Sequence, residues 1–463
     1  MAAKWGGFKD KNGNNKPDLP SEWDTDGDGV PDTYFFVQNP LKLKESLKRA
    51  FDSIFETNSS ASNVLANSTS ISNNTRVFQA RFNANKWSGD LVAFPVTDSG
   101  VGTAPDWQAQ DAMPAPASRQ LFVRTTDDTT TSFTWSNLST TDRALLDADP
   151  SAADNSQDIV DYLRGARSKE IKSGGSLRDR VTLAPGLAPL GDIVHSSPFY
   201  EKDSDMLYVS ANDGMLHAFR AAAIKDAVSG AVIHKAGSEV FGFIPSEVLA
   251  RLKNLASPGY NHDFFVDGDV VVSPKTAETG NKHLLFAALG RGGKGLFSLN
   301  VTAPTSFSAS DFLWEYTPTG DSSSVTDGVL DTSTNAATDS DLGFMLGRPV
   351  YVKLNNGIGA VIAGNGYNST SGKAVLYIFI LNASGQVTEV KKLDTGAAGD
   401  NGLATPGVFD ADGNGTVDFI YAGDLNGNVW KFDVNSENSA DWAVGISGDP
   451  LFVAKDAANN LQP

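Results

Sequence analysis

The chain contains no cysteine, which excludes disulfide staples, zinc–thiolate centres and cysteine nucleophiles. Basic residues are in deficit: 37 Lys and Arg stand against 55 Asp and Glu, for a formal net charge of −18. A chain of that sign is repelled by a nucleic-acid backbone or an anionic membrane and is suited to cations. No run of 18 apolar residues occurs, so no transmembrane helix is expected. The opening MAAKWGGF has no apolar h-region and is not a signal peptide. If the protein is exported, the sequence is expected to be a fragment or to have lost its leader. Calcium would then be a staple in place of the missing disulfides.

What is present fits that reading. Near the C-terminal end, FDADGNGTVDF places Asp410, Asp412, Asn414 and Asp418 at positions 1, 3, 5 and 9 of a loop. Calcium takes six to eight oxygens in flexible geometry, from such side chains plus a backbone carbonyl at position 7. The first candidate shell is therefore Asp410, Asp412, Asn414, the Thr416 carbonyl and Asp418. A second is Asp24, Asp26, Asp28, the Val30 carbonyl and Asp32. A third is Asp10, Asn12, Asn14, the Lys16 carbonyl and Asp18, which starts 14 residues before the second. Gly415 and Gly29 stand at the sharp-turn position 6, with Asn15 as their counterpart. None of the loops has Glu at position 12, where Tyr421 and Phe35 stand. Four carboxylates against two predict that residues 24–32 bind more tightly than residues 10–18.

At 463 residues the chain exceeds one small core, and two or more domains are expected. NPLKLKESLKRAFDSIFET carries an apolar face at helical spacing, predicting an amphipathic helix over about 40–57. A polar connector follows to residue 75. RVFQARFNANKWSGDLVAFPV then reads as a hairpin turning at Lys86–Gly89, and DIVDYLRGARSKEI as a short helix. From residue 189 a repeat decides the fold. Extended stretches holding Pro198, Pro274, Pro349 and Pro406 each lead to an apolar strand, a tight turn at Gly214, Gly295, Gly372 or Gly427, and a second alternating strand. Repeated small antiparallel sheets bury their faces by radial stacking, so a mainly β, modified β-propeller is expected, with a β-sandwich as the alternative. The expected division is 1–75 with the first two loops and the helix, 76–188 as a β-rich connector, and 189–463 as blades. PLFVAKDAANNLQP reads as the opening strand of a further, unfinished unit.

LGDIVHSSP (190–198), NDGMLHAF (212–219), FGFIPSEVL (241–249), FVDGDVVVSP (265–274), LGRGGKGLFSLNV (289–301) and residues 409–433 together resemble the C-terminal region of the PilY/PilC family. These are tip-associated adhesins and biogenesis factors of bacterial type IV pili. AKWGGF, EWDTDGDGVPD and NPLKLKESLKRAF resemble the stretch preceding the propeller in that family. The resemblance implies a modified β-propeller with a calcium loop between strands, Ca2+ as cofactor, and exposure at the pilus tip, the outer-membrane surface or in the periplasm. It implies pilins and minor pilins as partners, and calcium-linked control of extension and retraction. Residues 1–75 would be the end of a von Willebrand A-like region, although the D-x-S-x-S metal motif is absent. Where some relatives carry RGD, this chain has Arg164-Gly165-Ala166. Without the acid, integrin-type binding there is not expected.

Other constellations are read as structural. Asp192, His195, Ser196 and Ser197 are triad residue types, but they crowd one short extended stretch where neighbours face opposite ways. GRGGKG at 290–295 lacks phosphate-loop spacing. Trp314 and Trp430 are expected in strand packing. The leading expectation is a non-enzymatic, calcium-binding surface protein with an unknown receptor, in which a further chain could complete the propeller. The alternatives are a quinoprotein-like propeller dehydrogenase and a glycan-binding propeller lectin. The dehydrogenase would need ligands from several blades, whereas each candidate shell here is one contiguous loop.

Overall fold

The computed structural model describes residues 11–14, 16–24, 60–66, 76–97, 100–147, 156–181, 186–318 and 339–455. The chain splits into two compact units, Met1–Ser60 with Asn83–Asn85, and Ala61–Phe82 with Lys86–Pro463. In the first, a 3-10 turn, Pro20–Glu22, buries the Glu22 carboxylate. The backbone amides of Lys11 and Leu19 both donate to it, at 3.0 Å. The expected helix over 40–57 and all of the second calcium loop beyond Asp24 lie outside the described residues.

The second unit is a series of mainly antiparallel sheets. Three four-stranded meanders follow one another: Val270–Val272 to Phe312–Tyr316, Val350–Lys353 to Val387–Asp394, and Gly407–Phe409 to Ala443–Val444. Before them stands a six-stranded sheet built on Phe199–Glu201, Met206–Ala211, Met215–Arg220 and Glu239–Ile244. The hairpin expected around residues 86–89 is present as Arg76–Asn83 and Ser88–Thr97, in a sheet of its own. The short helix is Ser156–Leu163.

Strand periodicity shows how the sheets stack. Successive residues of a strand face opposite sides. In Leu284–Ala288, Leu285 and Ala287 join the core shared with Tyr208, Leu216 and Phe243 of the preceding sheet. Leu284, Phe286 and Ala288 join the core shared with Val361, Tyr377 and Phe379 of the following one. The next interface repeats the pattern, with Ile362, Leu376 and Ile378 against Ile420, Trp430 and Phe432. Each middle sheet is thus covered on both faces, as propeller blades are. The second strands were expected to alternate, but VLYIFIL (Val375–Leu381) is buried at every residue. A strand covered on both faces has no solvent side to make polar. Alternation survives in Asn428–Asp433, whose sheet meets a buried cluster on one face only among the described residues. Truncating a fully buried aromatic such as Phe379 would cost about 3–5 kcal/mol.

The four turn glycines all adopt positive φ: 90° at Gly214, 142° at Gly295, 61° at Gly372 and 78° at Gly427. At Gly214 a Cβ would also fall 2.2 Å from Leu252 Cδ2. A side chain there is excluded twice over.

Two expectations about boundaries need correcting. The division at residue 189 runs through one sheet, because Leu121–Arg124 pairs in parallel with Glu239–Ile244, with Leu121 opposite Gly242. Phe78, Ala80, Leu91 and Ala93 further pack on Leu207, Val209 and Phe219, the other face of that sheet. A buried charge network ties the connector in. Arg119 Nε and Nη2 donate to Glu239 at 2.6 and 2.7 Å, Glu239 meets His217 Nδ1 at 2.7 Å, and His217 Nε2 meets Asp213 at 3.0 Å. Burial opposes charging of Glu239 and His217. Arg119 nonetheless pulls the Glu239 carboxyl down to about 2, and Asp213 pushes His217 up to about 9. The second correction concerns the C-terminal strand. Phe452–Val453 opens no new unit; it pairs with Val429 and Asn428 of the last meander. Asn428–Asp433 has room for it because Ala443–Val444 covers only its far end, at Phe432 and Asp433.

Candidate metal centre

Residues 410–418 form the turn of a hairpin whose strands, Gly407–Phe409 and Phe419–Gly423, close on the pair Phe409 and Phe419. Gly413 and Gly415 take φ of 77° and 86°, and these left-handed residues coil the loop inward. Asp410 sits at its centre. Its Oδ1 accepts from the amides of Gly413 at 2.7 Å and Asn414 at 3.2 Å, and its Oδ2 from Gly415 at 2.7 Å. Led by the Gly415 amide, these donors hold the Asp410 carboxyl below its ordinary range. Asp418, buried at the closing position, accepts from the Ala411 amide at 2.7 Å. Each of Asp410, Asp412 and Asp418 presents an oxygen within 4.8 Å of the other two.

That donor set fits a hard cation. Three carboxylates on one small loop repel one another, and apart from Asp410 Oδ1, which accepts two amides, each of their oxygens accepts one hydrogen bond and keeps a lone pair. Calcium would be held by Asp410, Asp412 and Asp418, drawing further oxygens from the loop and from solvent. Asn414 is oriented differently from the expectation. Its Nδ2 donates to Asp412 Oδ2 at 3.0 Å, and its Oδ1 accepts from the Thr416 amide at 2.7 Å. An amide N–H beside a carboxylate relieves the crowding of charge. To serve as a ligand, Asn414 must turn its amide by half a revolution.

No local pattern points to Asn355, which fixes this loop to the neighbouring sheet. Asn355 Nδ2 donates to the Val417 carbonyl at 2.9 Å and to Asp418 Oδ1 at 3.1 Å, and its Oδ1 accepts from Thr416 Oγ1 at 2.7 Å. The Val417 amide also donates to the Lys353 carbonyl at 2.9 Å. Asp418 and the loop's closing strand are thereby tied to the turn between Val350–Lys353 and Gly359–Gly364. No spacing rule links residues 355 and 418.

The first loop has the same spacing and another chemistry. In its described part, Asn12 Nδ2 and Asn14 Nδ2 donate to the two oxygens of Asp18, at 2.9 and 2.8 Å. Both amides lower the Asp18 pKa. Asn14 Oδ1 meanwhile accepts from the Lys16 amide at 2.8 Å. Asp10, and Asp26, Asp28, Val30 and Asp32 of the second loop, lie outside the described residues, and Asp24 is buried.

The remaining candidates are structural. Asp192 binds His262 and Asn212, His195 meets Asp267 at 2.6 Å, and Ser196 Oγ accepts from the Ser210 amide. Asp192, His195 and Ser196 therefore face different partners. Arg164 is buried and donates to the carbonyls of Pro116, Arg119 and Phe133, so Arg164-Gly165-Ala166 presents no exposed arginine. Trp314 and Trp430 are buried, with indole N–H groups bound to the Gly385 carbonyl and to Asp424. Sequence reading also missed the Asn that ends two of the apolar strands. Asn212 accepts from the Phe265 amide and Asn365 from the Leu403 amide, each in the segment leading into the next sheet. The signal was the Ala-Asn or Gly-Asn step before the turn glycine.

Comparison with known proteins shows what the chain is similar to. The PilY1 beta-propeller domain family matches residues 169–457. Type IV pilus biogenesis factor PilY1 of Pseudomonas aeruginosa (strain UCBPP-PA14) is 30% identical over 502 residues, covering 93% of this chain and 39% of that protein. A PilY1 homolog of Xylella fastidiosa (strain Temecula1) is 28% identical over 512 residues, covering 93% of this chain and 32% of that protein. The chain thus spans about a third of the length of these relatives. The crystal structure of the Pseudomonas aeruginosa PilY1 C-terminal domain matches at 31% identity and a TM-score of 0.39, over 56% of this chain and 47% of that one.

Proposed function

The chain belongs to the PilY1 family, and from that premise we propose that it is a non-enzymatic, calcium-responsive module acting in type IV pilus biogenesis. The observation that carries the calcium reading is the convergence of Asp410, Asp412 and Asp418 within 4.8 Å in a loop bound to the adjacent sheet through Asn355. Metal arriving there would neutralise the loop and stiffen the joint between two blades. The module would then present a calcium-dependent surface to pilins at the pilus tip, with adhesion as a second role and the outer surface as its location. A contiguous ligand loop at a blade turn supports a structural or regulatory ion over a catalytic one. The test is complementation of a strain lacking the full-length protein with the Asp410→Ala/Asp418→Ala variant, counting surface pili at fixed calcium. Pilus number should change several-fold with the variant present at normal level. Wild-type pilus number and wild-type calcium response in the variant would overturn the proposal.

A further inference from the structure

A second cluster, remote in sequence from the calcium loop, joins the six-stranded sheet to the next one. Glu201 ends the strand Phe199–Glu201, Asp203 lies in the turn after it, and His283 stands just before Leu284–Ala288. One oxygen of each carboxylate and one ring nitrogen of His283 lie within 4.8 Å of one another. We propose that Glu201, Asp203 and His283 bind a divalent transition ion of the zinc type, bridging these two sheets.

The imidazole is set up as a ligand. His283 is buried, 3% exposed, and its Nδ1 lies 2.8 Å from the Ser273 carbonyl. A carbonyl only accepts, so Nδ1 carries the proton and Nε2 turns the other way. There Nε2 is 3.3 Å from Glu201 Oε1 and 3.2 Å from Asp203 Oδ2. A ring N–H given to a backbone carbonyl is the usual support of a metal-bound histidine. Bonds of about 2.0–2.1 Å in a tetrahedron put neighbouring ligand atoms about 3.3 Å apart. The two separations match that edge.

The carboxylates are held in place as well. Glu201 accepts from the Asp203 amide at 2.9 Å, the Ser204 amide at 2.8 Å and Ser204 Oγ at 2.6 Å. Asp203 is half-exposed, with 46% of its side chain accessible, which leaves a route for solvent as a fourth ligand.

Tyr208 provides an independent sign. Its hydroxyl is fully buried without a well-formed hydrogen bond; the side chain it meets is Ser204, whose Oγ proton is already given to Glu201 at 2.6 Å. The register pairs Tyr208 with Phe199 and Met206 with Glu201, so Tyr208 and Glu201 share one face of the hairpin. Burial and then the nearby Glu201 charge push its phenol up.

One nitrogen and two carboxylates suit a borderline ion, whereas the all-oxygen loop at 410–418 suits calcium. The competing arrangement is an imidazolium bridging two carboxylates with no metal. Isothermal titration of the chelator-treated chain with Zn2+, in the presence of saturating Ca2+, separates them. One equivalent should bind, and Co2+ in its place should give the strong visible absorption of a tetrahedral site. Asp203→Asn, at a half-exposed position, and His283→Gln should each weaken Zn2+ at least tenfold while keeping the calcium-dependent melting shift. Asp410→Ala/Asp418→Ala should keep the zinc, so failure of the calcium reading leaves this outcome distinct. Undiminished Zn2+ binding in folded Asp203→Asn and His283→Gln would overturn the proposal. So would absence of binding in the wild type.

Discussion

Two loops of this chain share a spacing of oxygen-bearing side chains and differ in what those side chains do. In 410–418, three carboxylates converge and backbone amides support them. In the described part of 10–18, one carboxylate, Asp18, is already satisfied by two side-chain amides. The first is a concentration of charge that a cation would offset. The second is a hydrogen-bonded turn that an ion must pull apart. Positions 1, 3, 5 and 9 therefore define where ligands could sit, and the ratio of Asp to Asn decides whether a cation is needed.

The largest difference should appear on removing a carboxylate from the C-terminal loop. With free calcium at 100 times Kd, mass action adds about 2.7 kcal/mol to stability. Asp410→Ala or Asp418→Ala should abolish that gain, read as loss of the calcium-dependent rise in Tm by calorimetry. Asp10→Ala in the first loop should leave most of it. A calcium shift of equal size in all three variants would erase the distinction between the loops.

Anchoring sets the loops apart at the next scale. Asn355→Ala removes three hydrogen bonds to 416–418 and strips buried Asp418 of a donor. A cost of about 1–3 kcal/mol follows from an unsatisfied buried group, even in chelator. Calcium affinity should fall with it. Chemical denaturation with and without calcium measures both effects. Loss of stability with unchanged affinity would show that the neighbouring sheet does not preorganise the site.

Asn355 also marks the limit of what the sequence discloses. The strands and the turn glycines are local patterns, so spacing alone places them, and the same spacing marks 410–418 as a turn rich in carboxylates. Phe452–Val453 and Leu121–Arg124 carry ordinary strand signals, but their partners are set by tertiary packing: one joins a sheet already begun, the other pairs in parallel across more than a hundred residues. The doubly buried strand VLYIFIL likewise departs from alternation because of what covers its second face. His283 and Glu201 are 82 positions apart, and only the stacking of two sheets brings them together. The orientation of Asn414 is equally a matter of the charges around it.

A smaller effect should come from giving the first loop the chemistry of the last. Asn12→Asp with Asn14→Asp replaces two donors to Asp18 by like charges, so the turn should melt more easily in chelator. Calcium affinity should rise, because ligand charge is one of its determinants. Calorimetric titration of the Asp410→Ala/Asp418→Ala background isolates this loop. Unchanged affinity would mean that the loop's backbone, and not its side chains, is what limits binding.

The smallest expected effect is in proton affinity, and it distinguishes backbone from side-chain support. Asp410 and Asp18 both have pKa values below the unperturbed 3.8. A depressed carboxyl contributes stability that is present above its unfolded pKa and is lost as pH falls through the folded one. Both contributions therefore persist at neutral pH and disappear only below pH 3.8. Their origins differ. Asp18 is held down chiefly by the Asn12 and Asn14 side chains, so Asn12→Ala/Asn14→Ala should return its pKa toward 3.8. Asp410 is held down first by the Gly415 backbone amide, which no side-chain truncation removes. Asn414→Ala should therefore leave Asp410 depressed, since the Asn414 amide that also reaches it is backbone. Carboxyl carbon shifts followed by NMR from pH 6 to pH 2, in chelator, give both values. A rise at Asp410 equal to that at Asp18 would mean that Asn414's side chain, and not the coil of the loop, keeps this carboxylate charged.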